Sequence, residues 1–371
     1  METVRVGIIG IGNMGSGHAK NIVAGKVPGM TLAAVCDVNP KRLEWAKENC
    51  PDAEQFDDAI KMLDSGKIDA AIVATPHYFH PVYVTEALKR DIHVLSEKPA
   101  GVYTKAVREV NELAARSKAT YAIMFNQRTN CVYRKMKEIV DSGAMGQIRR
   151  TNWIITDWYR SQSYYDQGGW RATWDGEGGG VLLNQNPHNL DLWQWMCGMP
   201  VRVKSQVYYG KHRSIEVEDD LYALVEYANG ATGCYITTVG DAPGTNRLEI
   251  DGTNGKIVVE NNELTFYRLR VPEPQFNATY HGGLGKPEVW ECKIPVKGTY
   301  TSHPGIINNF CDCILKGGAP IAPGAEGIRG LQISNAIHLS SWLGGEWVDL
   351  PVNGDLFVEK LQEHCKKPVM E

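Results

Sequence analysis

The sequence of 371 residues has no excess of positive charge and no long apolar run. Its 39 lysines and arginines are outnumbered by 43 aspartates and glutamates, which gives a net charge of −4. Such a composition offers no basic surface for nucleic acid or for an anionic membrane. No apolar stretch approaches the ~20 residues that a membrane-spanning helix requires. We therefore expect neither a nucleic-acid partner nor a membrane partner.

The sequence also lacks a CxxC pair and a secretory leader. Its nine cysteines are scattered along the chain, which favours reduced thiols and no bound metal. The opening residues, METVRVGIIGIG, contain no cationic segment followed by an apolar stretch and a cleavage site. These absences favour a cytoplasmic protein.

The first third of the chain alternates apolar runs with amphipathic segments. Strands are predicted at Val4–Ile9, Leu32–Cys36, Ala70–Ala74, His93–Leu95 and Thr120–Met124, with helices at Ser16–Ala24, Pro40–Asn49, Pro81–Lys89 and Thr104–Arg116. This alternation predicts an α/β domain with a doubly wound parallel sheet, covered by helices on both faces. We expect this domain to span residues 1–125.

From about residue 145 the pattern changes to strands separated by turns such as Asn229-Gly230 and Asp251-Gly252. An antiparallel meander is predicted, with strands at Ile148–Trp158, Val201–Tyr209, Leu221–Tyr227, Thr232–Val239, Arg247–Ile250, Lys256–Glu260 and Leu264–Leu269. Two helices, Gly305–Leu315 and Gly324–Trp342, are expected to pack back on the first domain or to bridge the two domains. The second domain is therefore predicted to span residues 126–371 and to contain an open, largely antiparallel sheet.

The strand predicted at Leu221–Tyr227 is apolar on both of its faces. Leu221, Ala223 and Val225 alternate with Tyr222 and Leu224. Helices can cover one face of such a sheet, and the other face then needs a different cover. We expect a second subunit there, in a homo-oligomer that is a dimer or a tetramer.

A glycine-rich turn follows the first strand. Gly10, Gly12 and Gly15 form the pattern GxGxxG between that strand and a helix that includes Asn13 and Met14. The first glycine permits a tight turn, the second lets the backbone approach a pyrophosphate, and the third lets the helix pack closely. Free N–H groups at the helix start can bind the phosphates. The sequence therefore predicts a Rossmann domain that binds a nicotinamide dinucleotide.

Asp37 ends the second strand and bears on the choice of cofactor. Its carboxylate can accept hydrogen bonds from both hydroxyls of the adenosine ribose and would repel a 2′-phosphate. The next residue is Val38 rather than an arginine. NAD is therefore favoured, and Arg42 keeps NADP open as the alternative.

With this turn, the segments Ala74-Thr75-Pro76-His77 and Glu97-Lys98-Pro99 resemble the Gfo/Idh/MocA oxidoreductases. The segment Gly178–Asp191 is similar to the active-site motif in the second domain of that family, so the resemblance spans the chain. It implies a Rossmann domain joined to an α/β domain with an open antiparallel sheet. It also implies further cofactor contacts from Thr75, Pro76, His77, His80, Glu97 and Lys98.

The resemblance implies roles for the catalytic residues as well. Lys98 would lie beside the reacting carbon, with Pro99 in a cis peptide bond, and His188 would transfer the proton. The family usually has Asp at the position of Asn184. An Asn side chain carries no charge at neutral pH, so we expect Asn184 only to orient substrate hydroxyls.

The chemistry of these residues suits the oxidation of an alcohol. Lys98 can stabilise a developing alkoxide, and His188 can accept a proton near neutral pH. Pro187 suits the first turn of a helix, whose dipole would keep His188 neutral. Asp191, three residues on, is expected to hold the histidine ring.

Residues 157–175 mix aromatic rings with carboxylates and arginines, as sugar pockets do. In this segment we expect Trp158 and Asp175 to bind substrate, and Trp170 and Arg171 to contact both substrate and nicotinamide. Three residues outside it are further substrate-binding candidates: Asn126 and Arg128, which follow the last Rossmann strand, and His303, which precedes a C-terminal helix.

Three functions fit these residues. The first is dehydrogenation of a sugar or glycoside, at C3 if the resemblance extends to the glycoside 3-dehydrogenases. The second is an NAD-dependent glycosidase or lyase that uses transient oxidation, with Tyr164, Tyr165 or Asp166 as an additional acid–base residue. The third is a non-enzymatic NAD-binding regulator, against which the intact Lys98 and His188 argue. The sequence leaves the sugar, the direction of the reaction and the number of subunits open.

Overall fold

The computed structural model describes residues 2–369. Its first part is a six-stranded sheet in the order β3-β2-β1-β4-β5-β6, in which all neighbouring strands are parallel. The strands are β1 Val4–Ile9, β2 Met30–Cys36, β3 Glu54–Phe56, β4 Ala70–Val73, β5 His93–Ser96 and β6 Tyr121–Ile123. The doubly wound parallel sheet expected from the alternating pattern is confirmed.

Helices connect these strands. They are α1 Asn13–Val23, α2 Pro40–Asn49, α3 Ala59–Asp64, α4 Phe79–Leu88 and α5 Thr104–Ala114. α2 begins where its sequence predicts, because Pro40 suits the first turn and the side chain of Asn39 accepts a hydrogen bond from the backbone N–H of Lys41. β3 and α3 are too short to give a clear periodic signal, and the sequence pattern did not predict them.

The second sheet has nine strands in the order β14-β13-β12-β11-β7-β10-β9-β8-β15. β7 pairs in parallel with β10, and the other neighbouring pairs are antiparallel. The strands are β7 Ile148–Ile155, β8 Arg202–Tyr209, β9 Glu218–Glu226, β10 Thr232–Thr238, β11 Asn246–Gly252, β12 Gly255–Glu260, β13 Glu263–Leu269, β14 Val289–Lys293 and β15 Val348–Asp349. The largely antiparallel sheet is confirmed, but the simple meander is wrong, since β7 inserts between β10 and β11.

The remaining helices belong to the second part of the chain. They are α6 Cys131–Asp141, α7 Gln162–Tyr165, α8 Val181–Asn184, α9 Pro187–Cys197, α10 Glu273–Thr279, α11 Ser302–Lys316, α12 Gly327–Trp342 and α13 Gly354–Gln362, with 3-10 turns at Asn126–Thr129 and Gly324–Glu326. α11 contacts α1, β1 and β5, whereas α12 contacts both β8 and α5.

Segments near the end of the chain complete the first sheet. The backbone N–H of Ile123, on edge strand β6, donates to the carbonyl oxygen of Ala322 at 3.0 Å, and Ala122 forms a bridge with Pro323. Asn335 of α12 is 1% exposed, and its Oδ1 accepts from the backbone N–H of the first residue of α5 at 3.1 Å. The C-terminal segment therefore covers the edge and one corner of the parallel sheet.

The two faces of β9 differ in exposure. Leu221, Ala223 and Val225 are buried, whereas Tyr222 and Leu224 are 49% and 48% exposed. Helices of the same chain thus cover one face only. Within residues 2–369, none of the helices has the length and apolar character needed to cross a membrane.

Candidate active site

The glycine-rich turn between β1 and α1 has the geometry of a phosphate-binding turn. Gly10 has φ of +91°, and a Cβ on it would lie 2.6 Å from the carbonyl oxygen of Ala74. A Cβ on Gly15 would overlap the carbonyl oxygen of Gly10, so α1 can approach the turn only because residue 15 is glycine. By contrast, no described atom lies within 4 Å of a Cβ built on Gly12. This space, in front of the N-terminus of α1, fits a pyrophosphate.

Asp37 is fixed beside this turn. Its Oδ2 accepts from the backbone N–H of Ile11 at 2.8 Å, and its Oδ1 accepts from that of Asn39 at 2.9 Å. Asn13 and Met14 are exposed at the start of α1. The carboxylate therefore lies at the end of β2, where the adenosine ribose of a dinucleotide binds in this kind of sheet.

The loop after β4 is tied to the loop after β5. The two ring nitrogens of His80 each lie 2.7 Å from a carbonyl oxygen, one of Thr75 and one of Pro99. His77 donates from Nδ1 to the carbonyl oxygen of Glu177 at 2.9 Å. Burial lowers the pKa of both histidines. These two side chains therefore hold together the loops that carry the predicted cofactor contacts.

Lys98 lies at the carboxyl end of β5, before a cis peptide bond to Pro99. Its Nζ donates to the backbone carbonyl oxygen of Asn184 at 2.9 Å. Burial lowers the pKa of Lys98, and the negative charges of Glu97 and Glu177 oppose this effect. The amine thus connects the edge of the parallel sheet to α8.

Glu97 and His18 form a buried pair next to Lys98. Oε1 of Glu97 lies 2.7 Å from Nε2 of His18, and the two residues are 4% and 1% exposed. Burial alone would raise the pKa of Glu97, but the hydrogen bond with His18 and the charge of Lys98 bring it to about 2. The ring of His303 lies 5.7 Å from that of His18. Sequence analysis did not single out His18, which has no motif of its own within α1.

His188 lies in the first turn of α9, which begins at Pro187. Its pKa is lowered to about 3, mainly by burial and then by the charge of Lys98. The neutral ring can accept a proton. Its Nδ1 is buried and has no hydrogen-bond partner in the described part of the chain. The expectation that Asp191 holds this ring is wrong, because that carboxylate binds Arg128 instead.

Arg128 is fully engaged by other protein groups. Its Nε and Nη2 donate to the two carboxylate oxygens of Asp191 at 2.8 and 2.6 Å, and its Nη1 lies 2.6 Å from Oε2 of Glu326. The side chain is 1% exposed. The prediction that Arg128 binds substrate is therefore wrong: its guanidinium joins α9 to the two 3-10 turns.

Trp170, Arg171 and Tyr164 form an aromatic and cationic wall next to His77. Trp170 is 38% exposed, and its ring meets that of His77 edge-on at 6.0 Å between centroids. The guanidinium of Arg171 lies 5.0 Å from the Trp170 ring and 4.6 Å from the Tyr164 ring. It also donates to the Tyr164 hydroxyl at 2.6 Å. The structure thus brings Trp170 and Arg171 to the loop of His77, close to the predicted cofactor contacts.

Trp158 and Asp175 have different surroundings. The indole N–H of Trp158 donates to Oδ1 of Asn189, on α9, at 3.4 Å. Oδ1 of Asp175 accepts from the backbone N–H groups of Lys366 and Lys367 at 2.9 and 3.1 Å. Asp175 thus fixes the segment after α13 through one carboxylate oxygen, and its binding of substrate stays a prediction.

Asn126 and His303 meet at another side of the site. Nδ2 of Asn126 donates to the hydroxyls of Tyr300 and Ser302 at 2.9 and 3.2 Å and lies 3.5 Å from Nδ1 of His303. Oδ1 of Asn126 is buried and lacks a partner among residues 2–369. Burial lowers the pKa of His303. A positive charge on His303 in turn lowers the pKa of His188. The start of α11 therefore contributes to the group around His188.

Glu177 is the main residue that sequence analysis missed. It is 1% exposed, its Oε1 accepts from the side-chain amide of Asn184, and its Oε2 accepts from the backbone N–H of Ala172 at 2.6 Å. Nη1 of Arg171 lies 3.8 Å from Oε1. Burial raises the pKa of Glu177. Its only sequence signal is an acidic residue directly before the three glycines at 178–180.

These residues fit a nicotinamide dinucleotide. The space at Gly12 suits the pyrophosphate, Asp37 suits the ribose, and the buried Oγ1 of Thr75 and Nδ1 of His188 are free of partners in the described chain. The other predicted cofactor contacts follow β4, at Pro76, His77 and His80, or follow β5, at Glu97 and Lys98. No group of three His, Cys, Asp or Glu side chains that could hold a metal ion occurs among the residues described.

The fold and this site define an oxidoreductase that uses a nicotinamide dinucleotide. Residues 4–125 match the family model described as an oxidoreductase family with an NAD-binding Rossmann fold. Residues 133–258 match the C-terminal domain of the Gfo/Idh/MocA oxidoreductases. The chain belongs to the Gfo/Idh/MocA family, and its cofactor is NAD.

Several dehydrogenases are similar to this chain. The inositol 2-dehydrogenase of Rubrobacter xylanophilus is 30% identical over 195 residues, which is 52% of each protein. The levoglucosan dehydrogenase of Pseudarthrobacter phenanthrenivorans is 23% identical over 95% of this chain and 99% of its own. The crystal structure of the WlbA dehydrogenase from Bordetella pertussis, in complex with NADH and UDP-GlcNAcA, matches with a TM-score of 0.79 at 25% identity and covers 95% of this chain and 100% of that chain.

Proposed function

We propose that the protein is an NAD-dependent dehydrogenase that oxidises a secondary hydroxyl, at C3, of a cyclic sugar or glycoside. The observation that carries this proposal is the position of Lys98 and of the neutral His188. Lys98 lies at the carboxyl end of β5 and its charge lowers the pKa of His188, whose ring meets that of Phe125, just after β6, at 6.4 Å between centroids. One supplies positive charge for an alkoxide, and the other supplies a base.

Lys98 and His188 have different roles at the hydroxyl group of the substrate. NAD, when bound, supplies the two-electron acceptor for the hydride that leaves the carbon. The proton of the hydroxyl passes to the ring of His188, which is neutral because its pKa is about 3. The ammonium of Lys98 stabilises the negative charge on the oxygen until the carbonyl forms. The products balance as a ketone, a reduced cofactor and one proton.

A sugar suits the residues around this pair. The exposed Trp170 ring offers a flat face for sugar C–H groups, and Arg171 and Asn184 offer polar groups for hydroxyls. Relatives named for inositol and levoglucosan lend support, since both compounds are cyclic polyols. The choice of C3 rests on the resemblance of the aromatic segment and of Asn186-Pro187-His188 to glycoside 3-dehydrogenases.

A panel of free sugars, glycosides and inositols tests the proposal. The purified protein is incubated with NAD and each compound, and NADH is followed by its absorbance. We expect NADH to form with at least one pyranose or glycoside, and NMR of the product to locate the ketone at C3. A ketone at another carbon would overturn the C3 assignment. Glycoside cleavage without net NADH would favour transient oxidation instead, and no turnover of any compound would overturn the proposal.

A further inference from the structure

Glu177 lies too deep to contact a substrate, yet it contacts Asn184 and lies near Arg171, both of which we assign to the substrate. It is 1% exposed, and its two oxygens are occupied by Ala172 and Asn184. Arg171 lies 3.8 Å away. Any role of this carboxylate in the reaction must therefore act through its neighbours.

The first neighbour is the side chain of Asn184. An ionised carboxylate only accepts hydrogen bonds, so the amide nitrogen of Asn184 must face Glu177. The carbonyl oxygen of that amide then points away from Glu177 as an acceptor. A hydroxyl of the sugar can donate to it. Glu177 is the partner that distinguishes the nitrogen of this amide from its oxygen.

The second neighbour is Lys98. Its Nζ is bonded to the backbone of Asn184, and the charge of Glu177 raises the pKa of Lys98 against the effect of burial. Glu97 has the same effect on Lys98 but is also bonded to His18. Glu177 is thus a second buried carboxylate whose negative charge favours the protonated form of the amine.

We propose that Glu177 is a positioning residue that supplies, from position 177, the carboxylate that the family usually has at position 184. It orients the amide of Asn184 toward the sugar and balances the charge of Lys98. This inference rests on the proposed function for its role in turnover. The effect of the Glu177 charge on the pKa of Lys98 does not depend on the identity of the substrate.

Asn184→Asp should lower activity in this protein rather than raise it. That change restores the usual residue of the family, but here it places a second carboxylate in contact with Glu177. Two carboxylates at hydrogen-bond distance, one of them buried, do not both stay ionised, so one of them takes up a proton. Combining Asn184→Asp with Glu177→Gln exchanges the amide and the carboxylate and keeps the hydrogen bond between the two positions.

The three variants are compared with the wild type on a confirmed sugar. Glu177→Gln and Asn184→Asp should each lower kcat/KM about tenfold or more, and the double variant should return to within about threefold of the wild type. If Glu177 only supports the backbone at Ala172, the double variant will be at least as impaired as the worse single variant, and the proposal is overturned. Asn184→Asp alone with raised kcat/KM also overturns it, even if Glu177→Gln fails to fold.

A second measurement needs no substrate. The rate at which acetic anhydride labels Lys98, followed by peptide mass spectrometry across pH, reports the apparent pKa of its amine. We expect this pKa to fall by about one unit in Glu177→Gln and to recover in the double variant. The control is Glu216→Gln, which removes an exposed carboxylate paired with Lys366. A pKa of Lys98 unchanged in Glu177→Gln overturns the electrostatic role, whether or not any sugar is oxidised.

Discussion

The protonation state of His188 follows from where its ring lies. Burial and the charge of Lys98 lower its pKa to about 3, so the ring takes up a proton only when the pH falls through that value. The acid limb of kcat/KM that belongs to His188 should therefore lie well below pH 6. The measurement is a pH profile on a confirmed sugar, with circular dichroism as a check on folding. A limb near pH 6.5 that disappears in His188→Ala would contradict this expectation.

Lys98 and His188 should be needed for turnover rather than for binding NAD. We expect Lys98→Ala and His188→Ala each to lower kcat at least ~10²-fold, since a positioned acid or base contributes about 10²–10⁴-fold. The Kd for NAD, from fluorescence titration, should stay nearly unchanged because the pyrophosphate and ribose sites are intact. Wild-type turnover in His188→Ala from about pH 6 to 9 would exclude it as the base, and Tyr164, Tyr165 and Asp166 would be tested next.

Asp37 should set the preference for NAD over NADP. Its carboxylate is already fixed by two backbone N–H groups beside the glycine-rich turn. In Asp37→Ala the ribose acceptor and the repulsion of a 2′-phosphate are both lost. NAD should therefore bind more weakly, and the difference between the affinities for NAD and NADP should become smaller. Isothermal titration calorimetry with each cofactor measures the two dissociation constants. Asp57→Ala, which changes an exposed carboxylate, is the control, and equal affinity of the wild type for both cofactors would contradict the role.

Sequence could predict residue types at strand ends but not the partner that each side chain finds. Lys98 and Asp37 follow directly from motifs, and the structure places them at the carboxyl edge of the parallel sheet. Arg128 also follows a strand, but it turns inward to Asp191 and Glu326, far away in sequence. No spacing reveals such a pairing. Glu177 was missed for the same reason, since only the folded chain brings it to Asn184.

At the scale of elements, the ion pair between Arg128 and Asp191 joins α9 to the turn after β6. Both side chains are 1% exposed. Arg128→Met should therefore lower the free energy of unfolding by about 3–5 kcal/mol, because it leaves a buried carboxylate without its partner. Urea denaturation measures the change. Arg329→Met is the matched control: Arg329 pairs with the same Glu326 but is 46% exposed, so its loss should cost under about 1 kcal/mol. Equal effects of the two variants would contradict this prediction.

The strongly periodic elements could be predicted from sequence, and the irregular ones could not. β1 and α2 have the bounds that the pattern indicates, because apolar runs and a proline at the first helical turn mark them clearly. The parallel pairing of β7 with β10 has no sequence signal, since alternation fixes which face is buried and not which strand is the neighbour. The domain boundary between residues 125 and 126 stays a prediction.

At the scale of the whole molecule, the exposed face of the nine-stranded sheet bears on assembly. Tyr222 and Leu224 are about half exposed on it, with Ile154 36% exposed on the neighbouring part of the face. We expect a dimer or tetramer through this face, and Tyr222→Glu with Leu224→Lys should shift it toward monomer. Light scattering with size exclusion measures the mass. Leu284→Lys, which changes a fully exposed leucine, is the control, and a wild-type monomer at micromolar concentration would contradict the prediction.

The cover over the edge of the parallel sheet has a consequence for synthesis. The ribosome releases β6 long before Ala322 and Pro323, which pair with it, and before Asn335, which holds the start of α5. At 5–20 residues per second, the roughly 200 residues in between take about 10–40 s to appear. During that interval the nascent chain presents an open strand edge to its neighbours on a polysome. Chaperones that shield nascent chains should therefore matter more for the yield of this protein than its final stability suggests.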